Sequence, residues 1–168
     1  MPSQELEILT VQEAAPIDRN RIEVILKGTG VFSAGEIECA LSLFDAYLRA
    51  EDNPDEYIFL CAYDSARNVL GFLCYGKASL TDCVYDLYWI ATDRLFQGKG
   101  IASLLLNHLD LKLKQLRARM VIAETSSRAD YVQSAHRLYM KNGFQQVAQI
   151  KDYYRLGDDL VIFQKRYP

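Results

Sequence analysis

A single domain of the α/β (α+β) class, with one mixed sheet of about seven strands and helices on its faces, is the fold this sequence predicts. Three observations carry that reading. The runs Val84 to Thr92, Ala102 to Leu116 and Met120 to Glu124 read as strand, helix and strand around a glycine loop. That order requires a right-handed crossover between parallel strands. Tyr57 to Tyr63 and Val69 to Tyr75 are apolar runs separated only by Asp64-Ser65-Ala66-Arg67-Asn68, the mark of an antiparallel hairpin. Elsewhere, apolar residues recur at spacings of three and four, as on helices with one buried face.

The elements follow in order. Leu6, Ile8 and Val11 suggest a first strand ending near Glu13-Ala14-Ala15-Pro16. A helix follows with Ile22, Ile25 and Leu26 on one face and Gly28 as its stop, then the loop Gly28 to Phe32. Ser33 with Glu36 three residues on forms a capping box for a second helix. Its apolar face is Ile37, Ala40, Leu41, Phe44 and Leu48, and Glu51 to Asp55 breaks it. The hairpin comes next, then a turn near Ser79 to Asp82 and the strand Val84 to Thr92. Ile101, Leu105, Leu109, Leu113 and Leu116 form the buried stripe of the following helix. After Met120 to Glu124, Asp130 to Lys141 reads as a helix with Asp130 as N-cap and Asn142-Gly143 closing it. Phe144 to Ile150 and Leu160 to Gln164 are the last strands, joined by the loop Lys151 to Asp159.

The 168 residues suit one domain, residues 1–168, with a substantial core. A net charge of −3 offers no electrostatic case for nucleic acid or an anionic membrane surface as partner. Cys39, Cys61, Cys74 and Cys83 lie in or beside apolar runs without metal-ligand spacing, so they read as reduced, buried thiols rather than disulfides or a metal set. The polar start Met1-Pro2-Ser3-Gln4-Glu5 lacks a signal-peptide core, and no apolar run is long enough to span a bilayer. The expected location is the cytoplasm. The eleven tyrosines and strand edges leave a homodimer open.

The glycine loop Gln97-Gly98-Lys99-Gly100-Ile101-Ala102 lets the backbone approach a ligand, and the helix behind it offers unpaired N–H groups to an anion. A nucleotide P-loop fails, because Asp93 and Gly100 stand where that motif needs a glycine and a Ser or Thr. The dinucleotide fingerprint is met by Gly98 and Gly100 but has Ser103 at its third glycine. A turn without a ligand stays open on the glycines alone.

Two longer matches change the balance. Gln97-x-x-Gly100-x-Ala102 resembles the Gln/Arg-x-x-Gly-x-Gly/Ala signature of the GNAT superfamily, the acetyl-CoA-dependent N-acetyltransferases. Ala135, Leu138, Tyr139, Gly143 and Phe144 resemble its second segment, Ala-x-x-Leu-Tyr-x-x-x-Gly-Phe, in the expected order. Arg94 departs from a frequent proline, and Val132 stands where many members have an asparagine contacting the cofactor arm, with Ser127 or Ser134 as substitutes.

The resemblance implies a fourth and fifth strand that splay to admit acyl-CoA. It implies that main-chain groups of Gln97, Gly98, Lys99, Gly100, Ile101 and Ala102 hold the pyrophosphate, with Lys99 either adding charge or standing solvated. It places Ile90, Ala91 and Thr92 beside the pantetheine arm, with an N–H polarising the thioester carbonyl. Tyr139 takes the position of the general acid that protonates coenzyme A sulfur; a core tyrosine is the alternative. Asp86 is the candidate base, on a strand where some members carry a catalytic glutamate, or else it positions the acceptor. Glu124 is a base or a binder of the acceptor ammonium. Phe32 and Tyr154 sit in the two loops that line the acceptor cleft in the family. His108 reads as a packed or boundary histidine and His136 as a surface one. The implied activity is acetyl transfer from acetyl-CoA, as acyl-donor substrate and without a metal, to a primary amine of a small molecule, amino acid or peptide by direct attack. The alternative from another class is a non-catalytic acyl-CoA sensor or interaction module.

Overall fold

The computed structural model describes residues 9–50 and 53–168. Chain order is β1 (Thr10–Glu13), α1 (Arg19–Thr29), α2 (Ala34–Leu48), β2 (Ile58–Tyr63), β3 (Val69–Lys77), β4 (Val84–Thr92), α3 (Ile101–Gln115), β5 (Met120–Ser126), α4, β6 (Gln145–Arg155) and β7 (Asp158–Arg166). Helix α4, residues 129–141, runs through Ala129–Tyr131, a π-helical turn Val132–His136 and Arg137–Lys141. The seven strands form one sheet in the order β1-β2-β3-β4-β5-β7-β6. Every neighbouring pair is antiparallel except β4 and β5, the two joined through α3.

Strands β2 and β3 are apolar along their length because helices cover both of their faces. On one face α1 and α2 bury Ile22, Ile25, Leu26, Ala40 and Phe44 against Phe59, Cys61, Phe72 and Cys74. Phe44 meets Phe59 edge-on at 4.9 Å. Burying each such side chain contributes about 1.5–3 kcal/mol. On the other face α3 and α4 bury Leu105, Leu109, Leu113 and Tyr139 against Leu73, Leu87, Val121 and Phe163.

Several expectations need correction. The first helix passes through Gly28 and stops at Gly30, which takes the left-handed conformation at φ 69°. A glycine inside a helix costs only about 1 kcal/mol, so sequence alone did not separate the two glycines. Leu6 and Ile8 lie outside the described residues. Asp130 does not cap α4: Arg128 is the N-cap, and its guanidinium engages the Asp130 carboxylate at 2.6 and 3.2 Å. Residues 151–159 are not a loop. β6 and β7 run on to pair Arg155 with Asp158, and the turn is Leu156-Gly157. An irregularity at Asp152 hides that continuation. Its N–H donates to Asp159 Oδ1 at 2.9 Å and its own Oδ1 accepts from the Gly157 N–H at 2.7 Å. Cys61 and Cys74 are buried, whereas Cys39 is exposed and Cys83 only half-buried. His136 is buried, not at the surface, with Nε2 2.9 Å from the Ser126 carbonyl and its ring edge-on to Phe163.

Candidate active site

The site begins where two parallel strands part. β4 and β5 pair from Val84↔Met120 to Leu87↔Ala123 and then stop, although β4 continues to Thr92 and β5 to Ser126. A bulge accompanies the parting. Against β3, Tyr75 pairs with Leu87 and Cys74 with Trp89, leaving Tyr88 unpaired. Such a bulge bends its strand and re-aims the residues beyond it. The freed halves, Tyr88 to Thr92 and Glu124 to Ser126, line a cleft of about 1220 Å³.

One end of the cleft is the glycine loop. Asp93 accepts the Leu95 N–H at 2.8 Å, and Arg21 of α1 pairs with the other Asp93 oxygen while donating to the Val69 carbonyl at 3.1 Å. The approach to the loop is therefore pinned to α1. Gly71 lets α3 close on the sheet, because a Cβ there would stand 2.9 Å from both the Ala91 carbonyl and Ile101 Cγ2. Gly98 and Gly100 have φ of 75° and 84°, and a Cβ on either would point into open space. Glycine is thus demanded by conformation at both. The N–H groups of Gly98, Gly100, Ile101, Ala102 and Ser103 find no acceptor among the described residues, while the Gly100 carbonyl already accepts from Leu104. Five donors at the N-terminus of a 15-residue helix suit an anion.

The cleft is lined by Gln97, Gly98, Gly100, Ile101 and Ala102 at this end, and by Ile90, Ala91 and Thr92 along β4. Lys99 is not part of the lining. Its ammonium lies over the Phe96 ring at 4.8 Å and its N–H is given to the Phe96 carbonyl.

Tyr139 lines the cleft from α4. It is 5% exposed and packs against Phe144 at 5.2 Å and Phe163 at 5.4 Å. Its hydroxyl makes no hydrogen bond among the described residues. Burial pushes its phenol pKa upward, so the proton is held at neutral pH. Thr125 shares the lining and was not singled out by sequence. It is 5% exposed, and its Oγ1 is buried without a partner among the described residues. Nothing distinguishes it in sequence from any strand threonine. Of the residues weighed as substitutes for the missing asparagine, Ser127 Oγ accepts the Asp159 N–H at 2.8 Å and Ser134 Oγ donates to the Asp130 carbonyl at 2.7 Å. Both are engaged elsewhere. Val132 does not line the cleft.

Asp86 and Glu124 line the opposite end. Asp86 is in register with Ile122, so Glu124, two residues further along β5, shares its face of the sheet. Burial raises the Asp86 pKa most, the Glu124 charge adds to it, and a hydrogen bond from Tyr88 opposes it. Tyr88 is itself pushed up to about 12, chiefly by burial.

Phe32 meets Trp89 edge-on at 5.4 Å and Tyr131 at 6.4 Å. Tyr131 donates to Glu36 Oε1 at 3.2 Å, and Arg128 Nη2 reaches the Val31 carbonyl at 3.5 Å. These contacts tie the α1–α2 loop to the start of α4. Tyr154 lines the same end from β6. A buried cluster anchors the end of β5: Ser126 Oγ donates to Asp158 and accepts from the Arg128 N–H at 3.0 Å. His136 contacts the Ser126 main chain rather than its Oγ, so the three do not form a nucleophile with its base. Among the described residues, no group of three His, Cys, Asp or Glu side chains could hold a metal ion.

Comparison with known proteins agrees with this geometry. The family model of the acetyltransferase (GNAT) domain matches residues 54–146, more than half the chain. A GNAT-family protein from Desulfovibrio desulfuricans superposes with a TM-score of 0.86 at 29% identity, over 95% of this chain and 99% of that one. The ribosomal-protein-S18-alanine N-acetyltransferase of Escherichia coli superposes at TM-score 0.73 and 17% identity, over 95% and 94%. The yncA protein of Salmonella typhimurium, whose structure contains acetyl-CoA, does so at 0.72 and 19%, over 95% and 94%. At such identities these last two share the fold. No curated protein matches the chain by sequence. A parted parallel strand pair, a glycine loop with free donors and a matching family model together make this chain a member of the GNAT acetyltransferase family, and an acyltransferase.

Proposed function

We propose that the protein transfers an acetyl group from acetyl-CoA to a primary amine of a small molecule, an amino acid or a peptide, by direct attack of the amine. The observation that carries this is the parted β4–β5 pair, with five N–H groups free among the described residues at one end and a buried, protonated tyrosine in its lining. When bound, acetyl-CoA supplies the acetyl group as an activated thioester.

The remaining chemistry belongs to the chain. Main-chain N–H groups of Gly98, Gly100, Ile101 and Ala102 hold the pyrophosphate, with Gln97 beside them; Lys99 contributes at most its charge from outside the lining. Ile90, Ala91 and Thr92 run beside the pantetheine arm, and a β4 N–H polarises the thioester carbonyl. Thr125 Oγ1, buried and unpartnered on the Tyr139 side of the cleft, hydrogen-bonds the same arm in place of the absent asparagine. Tyr139 gives its hydroxyl proton to the departing sulfur and exchanges it later with solvent. Asp86 takes the proton from the acceptor ammonium, directly or through water, and Glu124 holds that ammonium. Phe32 and Tyr154 border the acceptor. No helix among the described residues is long and apolar enough to cross a membrane. A cytoplasmic location belongs to the same proposal.

The test is coenzyme A release from acetyl-CoA, followed with a thiol reagent across a panel of amines, with wild type and Tyr139→Phe in parallel. Amine-dependent release by wild type, much reduced in the variant, is the expected result. Tight binding of acetyl-CoA without turnover of any amine would favour a sensor.

A further inference from the structure

The charged groups at the acceptor end select among amines, and this selection rests on the acetyl-transfer reading above. Each arginine there already faces a carboxylate. Arg128 forks onto Asp130 at 2.6 and 3.2 Å and lies over the Tyr131 ring at 5.3 Å. Arg155 pairs with Asp158 at 3.6 Å. Lys141 belongs to the donor end, because its neighbour Asn142 donates to Ser103 Oγ in the first turn of α3 at 3.1 Å.

The carboxylates are not matched in the same way. Glu36 is engaged, its Oε2 accepting the Ser33 N–H at 2.7 Å and its Oε1 the Tyr131 hydroxyl at 3.2 Å. Asp86 and Glu124 share one face of the sheet and have no cationic partner among the described residues. The end of the cleft where the acceptor sits therefore presents two uncompensated negative charges beside the apolar wall of Phe32 and Trp89.

A free α-amino acid brings a carboxylate within two bonds of its amine carbon. It would meet those charges with no unpaired cation beside them: displacing Asp130 from Arg128 would break a two-point ion pair, and Arg155, 67% exposed, holds its charge toward solvent and Asp158. An amine without that carboxylate brings only its ammonium. We infer that the acceptor is an amine bearing no adjacent carboxylate and an apolar neighbouring group, an organic amine or a peptide N-terminus, and that Asp86 and Glu124 exclude free amino acids.

The experiment compares 2-phenylethylamine with phenylalanine, which differ only in the carboxylate, with rates normalised to the free-base concentration of each. Phenylalaninamide and a peptide beginning with phenylalanine form the second arm, which separates small amines from N-termini. The expected result is kcat/KM at least about tenfold higher for the amines lacking the carboxylate, a ratio equivalent to about 1.4 kcal/mol of like-charge repulsion. Glu124→Gln, at an exposed position, is expected to narrow that ratio. Equal or faster acetylation of phenylalanine, turnover of none of the four by protein that binds acetyl-CoA, or an unchanged ratio in Glu124→Gln overturns the inference. Failure to bind acetyl-CoA at all would instead overturn the reading beneath it.

Discussion

Thr125→Val separates a binding hydroxyl from a structural one by the sign of its effect. Valine keeps the branched shape of threonine and puts a methyl where the hydroxyl stands, whose oxygen is buried and without a partner among the described residues. A buried, unsatisfied polar group costs a fold about 1–3 kcal/mol. Its removal is therefore expected to stabilise the unliganded protein by about that amount. For a domain of this size each kcal/mol moves Tm by about 2–4 °C, so the midpoint should rise by about 2–12 °C. Binding should change the other way. Loss of one neutral hydrogen bond to the pantetheine arm is worth about 0.5–1.5 kcal/mol, a weakening of about two- to twelvefold in Kd for acetyl-CoA. Differential scanning fluorimetry without ligand and isothermal titration with acetyl-CoA read the two effects. A less stable variant would refute the orphaned hydroxyl, and an unchanged Kd would refute its contact with the arm.

Three further outcomes are expected. Tyr139→Phe should lower kcat by about 10²-fold or more while leaving coenzyme A affinity and Tm nearly unchanged, since the hydroxyl makes no hydrogen bond among the described residues and, unlike Thr125 Oγ1, is not sealed away from the cleft; an unchanged kcat removes it as general acid. Asp86→Asn should abolish most turnover yet raise stability at neutral pH. The folded-state pKa of Asp86 lies above its unfolded value, so the ionised group opposes folding above the raised pKa and has no effect below the ordinary value of about 3.9. The stability gain of the variant should vanish as pH falls through that window in urea titrations, and wild-type kcat/KM should fall with acidification through the raised pKa. Gly100→Ala forces a side chain to φ 84° and should cost about 1–2 kcal/mol in urea unfolding, together with weaker coenzyme A binding; wild-type affinity in the variant would contradict the role of the loop.

The parts of the fold written in periodicity were legible. The α2 capping box of Ser33 and Glu36, the α3 stripe from Ile101 to Leu113 and the central strands stand where the spacing puts them, because local chemistry and burial agree there; Leu116, expected in the same stripe, caps the helix instead and is exposed. Legibility failed where tertiary contacts overrode local signals. Asp130 is claimed by Arg128 and so does not cap α4. The π-helical turn at Val132–His136 leaves the apolar spacing of Ala135, Leu138 and Tyr139 intact, so no pattern betrays it. The polar sequence from Lys151 to Asp159 conceals strand pairing that Asp152 and Asp159 organise through backbone contacts. In the site, the two family segments brought the glycine loop and Tyr139 into view. The Arg21–Asp93 pair and the unpartnered Thr125 hydroxyl depend on three-dimensional neighbours that no spacing encodes.

Acyl-CoA binding between the parted strands is tested most directly by thermal denaturation with acetyl-CoA, coenzyme A and NAD in parallel. A ligand at about a hundred times its Kd stabilises the native state by about 2.7 kcal/mol, or about 5–11 °C here. A shift of that order with acetyl-CoA and coenzyme A, and none with NAD, is the expected result. No shift with either thioester or thiol, or a shift with NAD alone, would contradict it.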